Sequence, residues 1–176
     1  MRRIGLLLLM ALLVVSPARA EDKRVYALVV KDTVNPYMQK MYTGFVEACE
    51  ELGVEPLLAG ARGVDADAQA VVIEELIASG VSAMAVAAND EAGVTEPLAR
   101  AIEAGIQVVS VDSAVDPSCR RTHIQQADPV IVARALMQAA HRMISGSGQF
   151  AILSTTETMP NQATWVGFMI EEYQAH

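Results

Sequence analysis

Apolar positions along this chain follow two alternating rhythms. Residues 25–30 are a compact β-branched and aliphatic run, the mark of a strand buried on both faces. Asn35-Pro36 then supplies an N-cap with proline in the first helical position. From there Met38, Met41, Phe45, Cys49 and Leu52 recur at three- and four-residue spacing until Gly53 closes the helix. Residues 54–58 predict a second strand. Asp65 or Asp67 caps a helix whose Val72, Ile73, Leu76 and Ile77 share one face, with Gly80 as its stop. Residues 81–87 predict a third strand. Val94, Leu98, Ala101 and Ile102 mark a third helix ending at Gly105, and residues 106–111 a fourth strand. Three β-α units of this kind, joined by short connections, specify an α/β fold: a doubly wound parallel sheet with helices on both faces.

The rhythm changes after Asp112. Residues 113–121 are polar, contain Pro117, and read as a linker between lobes. A short strand is expected at 122–125. Asp128-Pro129 repeats the helix start, and Ile131, Val132, Leu136, Ala139, Ala140, Met143 and Ile144 give that helix an apolar face. Residues 145–148 read as a loop, 150–153 as a strand and 163–173 as an amphipathic helix. Two strands and two helices cannot cover a parallel sheet on both faces. The expected organisation is therefore a first lobe over 21–112, the linker over 113–121, and an incomplete second lobe over 122–176, either truncated or completed by dimerisation.

Residues 1–20 read as an address. Arg2 and Arg3 form a positive start, residues 4–15 an unbroken apolar run, and Ser16-Pro17 ends it before Ala18-Arg19-Ala20. These parts in this order predict a secretory signal cut after Ala20. The apolar run is too short to span about 30 Å of hydrocarbon at 1.5 Å per residue. Removing residues 1–20 leaves ten basic residues against 21 acidic ones, a net charge near −11 where the whole chain carries −8. That balance, with no basic run, disfavours nucleic acid and anionic lipid as partners. A hydrophobic fraction of 52% argues against disorder, and two cysteines cannot build a disulfide scaffold or a cysteine zinc site.

Catalytic and cofactor signatures are thin. Gly146-Ser147-Gly148-Gln149-Phe150-Ala151 matches a dinucleotide pattern by its letters. That mechanism needs a strand before the glycines and a helix after them, and here the order is reversed. His123, His141 and His176 are scattered, and no nucleophile elbow surrounds Ser113. Cys49 reads as core; Cys119 could pair with it, though the spacing does not compel it. No enzyme, cofactor or metal is expected. What remains is polar groups where doubly wound sheets hold ligands, at the ends of strands. They are Lys31, Asp32, Asn35 and Tyr37; Asn89, Asp90 and Glu91; Asp112; and Thr155, Thr156, Asn161 and Gln162. Carboxylates, amides, a cation and an aromatic face are what a sugar requires. Asn35, Asn89 and Asp90 have a competing use as helix caps, and Trp165 reads first as core.

The string Lys31-Asp32-Thr33-Val34-Asn35-Pro36-Tyr37-Met38, set after a signal and a strand, resembles the start of the periplasmic sugar-binding proteins of ABC importers. Val111-Asp112-Ser113 with Asp116-Pro117-Ser118-Cys119-Arg120 is similar to the rhamnose and autoinducer-2 binding branch of the ribose-type group. So are Ile124-Gln125-Gln126-Ala127-Asp128-Pro129 and Asn161-Gln162-Ala163-Thr164-Trp165. The resemblance implies a two-lobed periplasmic-binding-protein-like fold that closes on a monosaccharide and presents it to an ABC permease in the inner membrane. A sensory protein presenting its sugar to a membrane receptor is the alternative. It also implies that Lys31 donates to ligand oxygens, Tyr37 covers a ring face, Asp112 accepts from hydroxyls, and Asn161 and Gln162 reach in from the second lobe, with Asn35 beside them. Met38 replaces a second aromatic, and Asn161 replaces the acid of the autoinducer-2 binders, which favours a pentose or deoxyhexose. An incomplete second wall is expected to weaken the binding.

Overall fold

The computed structural model describes residues 24–175; the expected signal at 1–20 lies outside them. β1 (Val25–Val29), β2 (Glu55–Ala59), β3 (Ala83–Val86), β4 (Gln107–Val111) and β5 (His123–Ile124) form one sheet, in the order β2-β1-β3-β4-β5. Every pairing is parallel, in registers such as Val25↔Glu55, Tyr26↔Ala83, Ala83↔Gln107 and Ser110↔His123. The order reverses direction between β1 and β3, which is the doubly wound arrangement the alternation predicts.

Helices α1 (Pro36–Leu52), α2 (Ala66–Ser79) and α3 (Glu91–Glu103) connect the strands. Their starts are fixed by side chains that accept from the first free backbone N–H groups: Asn35 for α1, Asp65 for α2 and Asp90 for α3. Gly53 and Gly80 end α1 and α2 in the left-handed conformation. One face of the sheet packs Ala27, Val29, Met84, Val86 and Val108 against Ile73, Leu76, Val94, Leu98 and Ala101 of α2 and α3. On the other face Leu28, Val30 and Ala85 meet Met38, Met41 and Phe45 of α1. α4 (Pro129–Met143), capped by Asp128, and α5 (Pro160–Ala175) make a third small core of Ala133, Met137 and Met169, with Trp165 and Phe168 against it.

Two expectations change. The segment 113–121, expected as an inter-lobe linker, packs into the first sheet: Val115 and Cys119 are buried in its core, and a 3-10 turn covers Pro117–Cys119. The short strand expected next is β5, and it extends that same sheet, with Ser110 N–H donating to Thr122 O and Asp112 N–H to Ile124 O. The ladder partner was available at the β4 edge, and the polar surface of the segment masked its two buried anchors. Residues 150–153 do not form a strand; Leu153 is 97% exposed. An extended segment needs a neighbouring strand to close its hydrogen bonds, and none runs beside it among the described residues. Cys49 and Cys119 are both free and buried. They belong to opposite sides of the sheet, Cys49 on α1 and Cys119 in the core under α2 and α3.

Gly60 marks where β2 leaves the sheet. Its φ is +145°, and a Cβ there would stand 2.6 Å from the Val30 carbonyl oxygen. Gly44, in the exposed middle of α1, has open space around it. Gly60→Ala is therefore expected to cost about 2 kcal/mol or more through strain and the clash. Gly44→Ala is expected to add about 0.5–1 kcal/mol of stability. Urea unfolding followed by circular dichroism measures both; similar effects from the two changes would contradict the close approach at Gly60.

Candidate functional site

Because all strands run parallel, the ends of β1, β3 and β4 open on one edge of the sheet. Main-chain pairing stops there, and the backbone must find other partners. Lys31 follows β1, Asn89 and Asp90 follow β3, and Asp112 and Ser113 follow β4. The crevice between β1 and β3, where the strand order reverses, is the place where open α/β sheets bind ligands.

Three of the residues expected to bind ligand meet at this edge. Lys31 Nζ lies 2.5 Å from Asp112 Oδ2 and donates to Asn161 Oδ1 at 3.1 Å. Asn161 Nδ2 faces both Asp112 oxygens at 3.4 Å. β1 and β4 are two strands apart, about 9–10 Å at ordinary strand spacing, a gap that a long side chain can close. Asn161 comes from the first turn of α5, so the cluster joins the sheet to the α4–α5 pair. All three residues are buried. Asp112 has φ of 60°, in the left-handed region that residues other than glycine seldom enter. Strain of this kind persists where surrounding contacts enforce it, and it concentrates at ligand sites. Burial lowers the pKa of the Lys31 ammonium from 10.5, and the hydrogen bond and charge of Asp112 oppose that shift.

Tyr37 is half exposed at the start of α1. Partial burial, and next the adjacent Asp112 carboxylate, raise the pKa of its phenol. Its ring thus stands at the rim of the buried cluster. Asn35 and Gln162 have other partners. Asn35 Oδ1 accepts from Tyr37 N–H at 2.9 Å as the cap of α1, and Gln162 Oε1 accepts from Ser154 Oγ at 3.4 Å. Asp32 ties two loops together by accepting from Val34 N–H and Gly63 N–H, each at 3.0 Å, and these bonds lower its pKa. Asp90 accepts from Gly93 N–H at 2.7 Å, which with the Thr158 hydroxyl lowers its pKa. That second bond is another link to the segment leading into α5. Trp165 packs against the α4–α5 core.

A cavity of about 350 Å³ opens beside the cluster, between the β4–β5 edge and the first turn of α5. Asp112 and Asn161 line it, joined by Glu91, His123, Gln125 and Thr158. His123 Nδ1 is 2.8 Å from Ser110 Oγ and its Nε2 is 2.8 Å from Gln125 Oε1, so the ring is held at both nitrogens. Ser110 is fully buried and also receives Arg120 Nη1 at 3.3 Å. Its hydroxyl is committed within the protein and does not face a substrate.

Sequence reasoning passed over Gln69, which is fully buried on α2. Its Nε2 donates to Ala87 O at 2.9 Å and Val30 O at 3.2 Å, and its Oε1 accepts from Asn89 N–H at 2.8 Å. The available signal was its spacing: Gln69, Ile73 and Leu76 form one buried stripe, and an amide on such a stripe needs partners. The His123–Gln125 pair was also missed, because it depends on β5 joining the sheet.

Comparison with known proteins bears on the fold and the family. Residues 26–176 match the family described as periplasmic binding protein domain. The D-ribose/D-allose-binding protein of Pseudomonas aeruginosa is 29% identical over 104 residues, covering 57% of this chain and 32% of that protein. An ABC transporter solute-binding protein from Clostridium phytofermentas, solved with bound L-rhamnose, is 34% identical with a TM-score of 0.83, over 86% of this chain and 47% of that one. LsrB from Clostridium saccharobutylicum, solved in complex with AI-2, shares the fold at 23% identity and a TM-score of 0.77, over 86% of this chain and 49% of its own. The chain thus spans about half the length of these solved relatives and about a third of the curated one. Parallel topology and a family match over residues 26–176 together place the chain in the periplasmic binding protein family.

Proposed function

We propose that this chain is a periplasmic solute-binding protein, or a piece of one, that takes a monosaccharide or related small polyol for ABC-type import. The observation that carries the reading is the Lys31–Asp112–Asn161 cluster, which gathers a cation, a carboxylate and an amide from two sheet ends and a facing helix. These groups now satisfy one another. A hydroxyl both donates and accepts, so a polyol entering between them can replace each internal bond with one of its own. Tyr37 at the rim offers an apolar ring face to C–H groups. The relative solved with L-rhamnose supports a sugar as the ligand class. Asn35 serves the site by capping the helix that carries Tyr37, and Gln162 extends it beside Asn161. Export through the N-terminal signal places the protein in the periplasm, where an inner-membrane permease complex reads its ligand-bound shape.

Isothermal titration calorimetry with L-rhamnose, D-ribose, D-allose and AI-2 tests this reading, and saturable binding of one of them is expected. Asp112→Ala and Lys31→Met are each expected to weaken that binding at least about tenfold, the loss of one charged hydrogen bond. Asn35→Ala is expected to lower stability by about 1 kcal/mol as a lost cap while leaving most of the affinity. Absence of binding at millimolar concentrations of all four ligands would overturn the proposal.

The buried lysine also sets a pH dependence. Between its lowered pKa and 10.5, the unfolded chain keeps a proton that the folded chain has released. The stability contribution of Lys31 therefore rises with pH across that window, and the cost of burying its charge is fully present below it. Ligand affinity is expected to fall over the same window as the donor loses its charge. Thermal melts and calorimetry between neutral pH and 10.5, against Lys31→Met as control, check both trends; a variant that keeps either trend would remove Lys31 as its source.

A further inference from the structure

We propose that Gln69 is a positioning residue for the ligand site, holding Lys31 in place through the backbone on either side of it. The β1–β3 ladder ends as Ala87 N–H donates to Val29 O at 2.9 Å. Beyond that bond the two strands separate, and the carbonyls of Val30 and Ala87 face the crevice without a ladder partner. Gln69 Nε2 reaches both carbonyls, and its Oε1 takes the Asn89 N–H. Asn89 Nδ2 then donates to Lys31 O at 3.1 Å and to Asp65 O at 3.3 Å. The backbone of Lys31 is thus fixed from both sides, by Gln69 at the preceding carbonyl and by Asn89 at its own.

Apart from Asp65, which is exposed, the members of this chain of bonds are covered: Gln69 and Val30 are fully buried, Asn89 is 2% exposed and Lys31 6%. Water cannot take over the bonds if one is removed, so the strand ends must shift to find new partners. Such a shift moves the root of the side chain that has to span to Asp112. A small displacement there is costly, because the 2.5 Å contact with Asp112 and the 3.1 Å contact with Asn161 share one nitrogen. Gln69 touches neither of those groups. Its route to a ligand is the position of Lys31, set through the Val30 carbonyl and by way of Asn89.

The ligand arm of the test rests on the sugar-binding reading; the second arm does not. Gln69→Met keeps the length and removes every hydrogen bond. It is expected to weaken binding of the sugar found by calorimetry at least about tenfold in the wild-type background. With Lys31→Met already present it is expected to change affinity by less than about twofold, since sites acting through one contact are not additive. In the ligand-free protein, the Lys31 side chain is titrated by NMR with 13C-labelled lysine. Gln69→Met is expected to move its midpoint, upward if the displaced ammonium gains water and downward if it stays buried and loses Asp112, because burial and Asp112 act on it in opposite directions. If Gln69→Met does not fold, Asn89→Ala removes the second half of the same support and is read in both ways. A lower unfolding midpoint with unchanged Lys31 titration and unchanged sugar affinity would reduce Gln69 to a core residue and sink the proposal. If no sugar binds the wild type, the functional reading fails, and the Lys31 titration still decides the role of Gln69.

Discussion

A parallel sheet has an edge where its ladder ends while its backbone still carries unpaired groups, and this chain is organised around meeting that requirement. At the ends of β1, β3 and β4 the partners are side chains: Gln69 and Asn89 for the main chain, and Lys31, Asp112 and Asn161 for one another. A buried charge pair is a weak source of stability in itself, because desolvation offsets much of its attraction. In the proposed function the arrangement is a site rather than a staple. Polar groups that cost free energy to bury are held together where a ligand with matched donors and acceptors can separate them.

The same edge joins the two parts of the molecule. α4 and α5 pack on each other through a core of only a few side chains. Their ties to the sheet include Asn161 with Lys31 and Asp112, and Thr158 with Asp90. Those ties are polar and close to the crevice, whereas the apolar packing lies within each part. Polar links can be exchanged for other polar links at modest cost. The Lys31–Asp112–Asn161 cluster thus joins the sheet to the α4–α5 pair, and in the proposed function it also meets the ligand.

Much of the fold was legible in the residues because local signals agreed with one another. Asn35-Pro36, Asp65 and Asp128-Pro129 start helices where the apolar periodicity begins, and Gly53 and Gly80 end them. The four aliphatic runs became four strands joined by three parallel pairings of a doubly wound sheet, with β5 as an added edge. The failures share a physical cause. The short strand expected at 122–125 is β5, but its place in the first sheet, like the burial of 113–121, is decided by tertiary pairing and packing, for which Val115 and Cys119 are the main local signal. Residues 150–153 have the composition of a strand but no neighbour among the described residues, and composition alone cannot supply one. Lys31, Asp112 and Asn161, which the structure brings together, could be singled out because strand ends collect polar groups and because the resemblance named them. Gln69 was not, since a single amide on an apolar helix face looks like an interruption until the carbonyls opposite it are known.

Asp112 carries one further implication for how this sequence can drift. Its left-handed backbone, φ 60°, is tolerated by glycine, asparagine and aspartate far better than by other residues. Of those three, aspartate alone brings the negative charge that answers Lys31. Glutamate would keep the charge but lose the backbone fit, and asparagine would keep the fit but lose the charge. Two independent demands, one steric and one electrostatic, thus intersect at a single amino acid, so this position has almost no neutral neighbours in sequence space.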